Sequence, residues 1–329
     1  MKSFTPSVNH RILQQKTKFR KDQKIFTCQK DYISILNETT NKRECVHFDN
    51  PKAQKIMLEN LLSKDKINCQ KITAPKQLLA NCWFNVFFMC FFISDKGRKF
   101  FRYLREIMIT GKNEKGKQVI SDWVRSAFFH FNLFIEASLQ GNNLGKLMDT
   151  NEIIYELSTL LKRDFPSVNE DWNPIDFYES IITYLKDDPH HILLICVEKN
   201  NFYIDQKVLK KYKNSFGRLP NIIVILINDN ISKKITNKPI EFTVPSKSSN
   251  IKYILDSAII RDTKKTHFAC CLTCNKKEYG FDGESFSRIS RFKWKHNILN
   301  KNKDWKFKTP YPTVFNFKKG LQYLFYYRV

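Results

Sequence analysis

The sequence predicts an α+β protein, with helices filling its first half and an antiparallel sheet its second. Two observations carry this. Between residues 78 and 186, apolar residues recur at helical spacing in segments parted by polar loops. After Asp187-Asp188-Pro189 the texture changes to short apolar runs such as Ile192–Val197 and Asn221–Ile227, the pattern of buried strands. Helices grouped before strands, instead of alternating with them, argue for α+β. With 42% hydrophobic residues over 329 positions, the chain can bury a sizeable core. Its 28 Phe and 13 Tyr indicate that aromatics build that core, and only 9 Gly and 11 Pro argue against long flexible linkers.

In chain order, residues 1–70 are basic and polar and read as an N-terminal extension or a small appended layer, with one short helix at Ala53–Ser63. Residues 78–110 read as one long helix or two. The polar stretch from Gln77 delivers Cys82 to the front of the apolar run Trp83–Ile93, and Lys96, Arg98 and Lys99 begin a basic amphipathic continuation to Met108. Gly111–Lys117 is a loop. Ile120–Leu139 is a helix with an apolar stripe through Trp123, Ala127, Phe128 and Phe131. Gly141–Leu147 is a loop and not a phosphate cradle, since the glycine spacing is short and no Ser or Thr follows Lys146. Helices follow at 151–163 and 174–186. Strands follow at Ile192–Val197, Phe202–Ile204, Asn221–Ile227, Ile240–Val244, Tyr253–Ile260, Phe268–Thr273 and Tyr279–Asp282. From Arg288 to Val329, basic residues interleave with Phe292, Trp294, Trp305, Phe307, Tyr311, Phe315 and Phe317. This suits single-stranded nucleic acid stacking, but fits better a set of core aromatics beside solvated lysines.

The formal net charge of +24 favours nucleic acid, anionic membranes, a virus particle or acidic partners, or serves solubility alone. The longest apolar run falls well short of the roughly 20 residues that span a bilayer, so no membrane partner is expected. Nine cysteines lack disulfide-like spacing, and Met1–Lys30 lacks an apolar signal core, which points to a reducing, intracellular, cytoplasmic setting.

Cysteine catalysis needs a thiolate, an imidazole to take its proton, a group that orients the imidazole, and donors for the oxyanion. Cys82 at a helix start is a favourable thiolate position, although a buried core cysteine is the plainer alternative. Gln77 and Asn81 are side-chain amide candidates for the oxyanion. His267 sits where a loop enters a strand. Asp282 ends the next strand, where a hairpin returns it beside His267. His190-His191, after a Pro turn, read as structural or solvated.

Taken together, Cys82-Trp83-Phe84-Asn85, Asp176-Phe177-Tyr178-Glu179, Leu219-Pro220 before a buried strand, and Tyr253–Ile260 followed by His267-Phe268 and Tyr279-Gly280-Phe281-Asp282 resemble the boxes of the ubiquitin-specific proteases, in that family's order. The resemblance implies a papain-like cysteine peptidase over residues 71–329. Its triad would be Cys82, His267 and Asp282, its oxyanion donors Gln77 and Asn81, and its substrate contacts Asp176, Glu179 and Phe268. The implied substrate is the Gly-ended tail of ubiquitin or a ubiquitin-like protein, with a non-ubiquitin precursor or a non-catalytic basic scaffold as alternatives. No cofactor and no metal are expected, because Cys271 and Cys274 form a lone pair unable to fill a zinc site. The chain departs from the family at Leu79-Ala80-Asn81 before the cysteine, at Gln77 for the oxyanion residue, at Thr266 before the histidine and at Gly283 after the aspartate.

Overall fold

The computed structural model describes residues 26–37, 39–62, 67–141, 149–161, 165–168, 170, 172–185, 192–197, 204, 206–232, 234–235, 238–245, 250–264, 266–285, 288–300, 302–307 and 313–329. The glycine loop after Gly141, the strand expected at Phe202-Tyr203, His190-His191 and Tyr311 lie outside the described residues. The chain divides into two compact units. One holds Met1–Asn85, Lys99–Ser180 and Phe286–Arg288; the other holds Val86–Arg98, Ile181–Ser285 and Ile289–Val329.

The first unit opens with a three-stranded antiparallel sheet, β1 (Phe26–Gln29), β2 (Tyr32–Asn37) and β3 (Lys42–His47). Ile33 and Ile35 of β2 are buried, and α1 (Pro51–Leu62) follows, burying Ala53 and Met57. Pairing skips Cys28 between Thr27 and Gln29, and this irregular residue forms a disulfide with Cys45 of β3. The scattered spacing of the cysteines gave no sign of this pairing: the two meet only through the sheet. Next come α2 (Cys82–Phe88) and, beyond a π-helical turn over Met89–Ile93, α3 (Asp95–Phe100) and α4 (Arg102–Thr110). So the apolar run expected as one or two helices is broken at Ser94. α4 ends on Gly111, whose φ of 73° places it in the left-handed region where glycine is unstrained.

α5 (Asp122–Gln140) is buried along most of its length. Ala127, Phe128 and Phe131 are buried as the stripe predicts, but Trp123, in the first turn, is 57% exposed. Arg105 of α4 donates to Glu136 (2.6 Å) and Asn132 (2.8 Å) of α5, pairing its charge inside the unit. α6 (Thr150–Leu161) and α7 (Pro174–Leu185) follow. Phe177 of α7 packs on Trp83 and Phe84 of α2, with ring centroids 5.2 Å apart in each pair.

The second unit is built on an eight-stranded sheet. β4 (Ile192–Cys196) and β5 (Ile222–Ile227) are joined through α8 (Gln206–Phe216) and run parallel. After the short α9 (Asp229–Ser232) come β6 (Glu241–Pro245), β7 (Asn250–Arg261), β8 (Phe268–Cys274), β9 (Lys277–Phe281), β10 (Ser290–Arg291), α10 (Trp294–Asn300) and β11 (Gln322–Arg328). The order is β10-β9-β8-β7-β11-β5-β4, with β6 pairing β7. All pairings but β4–β5 are antiparallel. The expected antiparallel sheet is therefore mixed, because a helical crossover returns the chain in the same direction. The C-terminal strand, which periodicity left unassigned, lies between β7 and β5. It is buried from Gln322 through Tyr327, so no wet face marks it.

The basic-aromatic C-terminal stretch is core. Trp294, Phe315 and Phe317 are buried, and Phe292, Trp305 and Phe307 pack against them. Trp305 stacks on Phe315 at 4.9 Å. Among the described residues no helix is long and apolar enough to cross a membrane.

Candidate functional site

The expected site residues fall in both units. In the first, Cys82 is the first residue of α2, a free thiol with 6% exposure. Asn81 precedes it, and its carbonyl accepts the Asn85 N–H at 3.0 Å, closing the first helical turn. The Asn81 side chain is fully buried and its Nδ2 donates to Thr150 Oγ1 at 2.8 Å. One of the two donors of the Asn81 amide is thus engaged by Thr150 inside the protein. Thr150 in turn donates to Asn85 Oδ1 at 2.6 Å. Gln77 is half-buried, with a buried Oε1 that has no partner among the described residues. Thr150 escaped the sequence reading. Its only signal is its place at the start of a predicted helix, which says nothing of what lies opposite.

Asp176 and Glu179 lie on the exposed face of α7, while Ile175, Phe177, Tyr178, Ile181 and Ile182 turn inward. The spacing of i and i+3 sets the two carboxylates on one face. Partial desolvation raises the pKa of both, and the Asp176 charge adds to the rise at Glu179.

In the second unit the sheet brings His267 and Asp282 together. β8 and β9 form a hairpin in which Cys274 pairs with Lys277 and Cys270 with Phe281. The two-residue turn between them has positive φ at Asn275 (49°) and Lys276 (60°), as a primed turn requires. Asp95 at the start of α3 accepts both turn amides, Asn275 N–H at 2.9 Å and Lys276 N–H at 2.8 Å. A hairpin in this register returns the end of β9 to the beginning of β8. His267 immediately precedes β8, Asp282 immediately follows β9, and His267 Nε2 lies 2.7 Å from Asp282 Oδ1. Both are buried, His267 at 5% and Asp282 at 1% exposure. Asp282 Oδ1 also accepts the Glu284 N–H at 3.0 Å.

The loop that delivers His267 is held by Asp262, whose carboxylate accepts three amides: Thr266 (2.7 Å) and His267 (2.9 Å) on Oδ1, and Lys264 (3.1 Å) on Oδ2. Asp262 N–H donates back to His267 O at 2.8 Å. Asp262 was also missed, although an Asp opening a polar loop is a known turn-former. Phe268, half-buried, starts β8 opposite Arg261.

His267, Asp282 and Glu284 offer ligand atoms within 4.8 Å of one another. The 2.7 Å contact between His267 and Asp282 is a hydrogen bond. Two ligands on a zinc ion, each at about 2.0–2.2 Å and near tetrahedral angles, stand farther apart. Cys271 is a free buried thiol and Cys274 is disulfide-bonded. Burial pushes the Cys270 and Cys271 thiols up, against thiolate formation.

Neither a family profile nor a curated protein matches the sequence. Among solved structures, the SAGA DUB module Ubp8/Sgf11/Sus1/Sgf73 bound to monoubiquitin matches with a TM-score of 0.50 and 10% identity, over 91% of this chain and 81% of that one. The same module bound to ubiquitin aldehyde matches at 0.48 and 9%, over 91% and 81%. The Ubp8-Sgf11-Sgf73-Sus1 module matches at 0.46 and 11%, over 91% and 78%. The first of these likenesses concerns the fold alone: the chain is similar to a deubiquitinase module in its mixed helix and sheet architecture.

Proposed function

We propose that the protein is a papain-like thiol hydrolase that cleaves the peptide or isopeptide bond after the C-terminal glycine of ubiquitin or a ubiquitin-like protein. The observation that carries this reading is the buried His267–Asp282 hydrogen bond, formed at the ends of two strands by residues placed there by motif. The free Cys82 thiol at the head of α2 supports it. Asp282 on Nε2 orients the imidazole and makes Nδ1 the atom that takes the Cys82 proton. The thiolate attacks the carbonyl, and the Cys82 N–H and the Gln77 amide hold the oxyanion. His267 returns the proton to the leaving amine as the C–N bond breaks. Water, deprotonated by His267, then attacks the thioester, releasing a carboxylate and the thiol. Asp176 and Glu179 offer an acidic face for a basic tail, and Phe268 an apolar contact. The protein's basic charge adds acidic partners, nucleic acid among them.

The test is incubation with ubiquitin carrying a thiol-reactive C-terminus. The expected result is a covalent adduct that is absent in Cys82→Ala. Labelling of Cys82 by a small alkylator without an adduct would retain the hydrolase and remove ubiquitin as its substrate. Cys82 labelling no faster than that of the exposed free thiol Cys196 would overturn the hydrolase and leave a scaffold.

A further inference from the structure

The first turn of α2 is closed twice. The backbone closes it through the Asn85 N–H on Asn81 O at 3.0 Å. The side chains close it through Thr150, which accepts from Asn81 Nδ2 (2.8 Å) and donates to Asn85 Oδ1 (2.6 Å). A hydroxyl has one proton, so it cannot donate to two amide oxygens. Thr150 therefore sets the two amides in opposite senses, Asn81 presenting its NH2 and Asn85 its oxygen. All three residues are fully buried, which removes water as a competitor. The remaining atoms, Asn81 Oδ1 and Asn85 Nδ2, have no partner among the described residues. Among these residues the hydroxyl alone fixes each side chain.

The two asparagines bracket Cys82, one position before it and three after. Thr150 is itself held, because Asp149 accepts the Asn151 N–H on its side chain (2.9 Å) and the Glu152 N–H on its carbonyl (3.2 Å) at the start of α6.

We propose that Thr150 is a positioning residue for Cys82: its single hydroxyl locks the turn that aims the thiol and the Cys82 N–H. This rests on the reading of Cys82 as the nucleophile. A hydrogen bond made at a distance in sequence of 69 residues on one side and 65 on the other then acts on the reacting group without touching substrate.

The test follows alkylation of Cys82 by iodoacetamide from pH 5 to 9, read peptide by peptide, with Cys196 as the exposed internal reference. Thr150→Val, close in volume, is expected to slow Cys82 about 10- to 100-fold near neutral pH and to shift its pH profile toward that of Cys196. Thr150→Ser, which restores the hydroxyl, is expected to return both rate and profile. A wild-type rate and profile in T150V would overturn the inference and leave the nucleophile reading intact. Equal loss in T150V and T150S would also overturn it, because packing and not the hydroxyl would then matter. If T150V does not fold, Thr150→Ala removes the same hydroxyl with less crowding, and a wild-type rate there is equally fatal. Wild-type Cys82 no faster than Cys196 would sink both the nucleophile reading and this inference.

Discussion

Single residues here carry more than their chemistry advertises. Asp282 is one carboxylate among many, yet it is buried against His267 and the Glu284 amide. An Asp282→Asn variant keeps the shape but presents an amide N–H where an acceptor is needed. Turnover of a ubiquitin-derived substrate is expected to fall by on the order of 10²- to 10⁴-fold with the fold unchanged by circular dichroism. Lys238 is a different case. It is fully buried, with Gln322 Oε1 at 2.8 Å and the Phe317 carbonyl as acceptors. Desolvation, then the Lys318 charge, lowers its pKa to about 7. In the unfolded chain the amine stays protonated up to the ordinary lysine value of 10.5. Between the two values the unfolded state binds more protons, so stability rises with pH across that window and is lost as pH falls toward 7. The slope from this one group is at most about 1.4 kcal/mol per pH unit. Denaturant unfolding from pH 7 to 10 should show this slope, and Lys238→Met should remove it.

At the scale of elements, the π-turn and α3 act as the clamp on the β8–β9 hairpin. Ser94 N–H reaches back to Met89 O at 3.1 Å, and Ser94 Oγ accepts the Gly97 N–H at 3.2 Å, capping α3. A Cβ on Gly97 would lie 2.2 Å from Cys90 O and 2.9 Å from Phe91 O, both backbone atoms that cannot swing away. Gly97→Ala is expected to destabilise by about 3 kcal/mol. Because α3 also carries Asp95, the same change should speed hydrogen exchange at Asn275 and Lys276. Unaltered exchange there would separate the clamp from the hairpin. The hairpin was legible in sequence from the strands at Phe268–Thr273 and Tyr279–Asp282, but its two-residue turn and its register were not. The clamp was not, because Asp95 and Asn275 are 180 positions apart and no local pattern joins them.

At the scale of the whole molecule, the N-terminal sheet is stapled by Cys28–Cys45, which are 17 positions apart. Replacing both by Ser frees a loop of that length and should lower stability by about 3 kcal/mol, read as a lower denaturant midpoint. An unchanged midpoint would mean that the pairing contributes nothing. The large sheet gains its centre from the last strand of the chain, β11, so its completion waits on residues remote from β5 and β7. Loop closure over such distances carries an entropic cost that local propensity cannot signal.

By itself the sequence determined the helices between Cys82 and Leu185, the strand-rich second half and the placement of Cys82, His267 and Asp282 at element ends. Each of these rests on local periodicity and on residue types that belong at starts and stops. Only the tertiary structure decided that β4 and β5 run parallel and that residues 26–47 form a three-stranded sheet. It also joined the Asn81 side chain to Thr150, and made Asp262 the staple that holds the His267 loop. The reason is common to all of these: each depends on which group stands opposite, and a buried polar atom finds its partner across space without leaving a trace in its own stretch of chain.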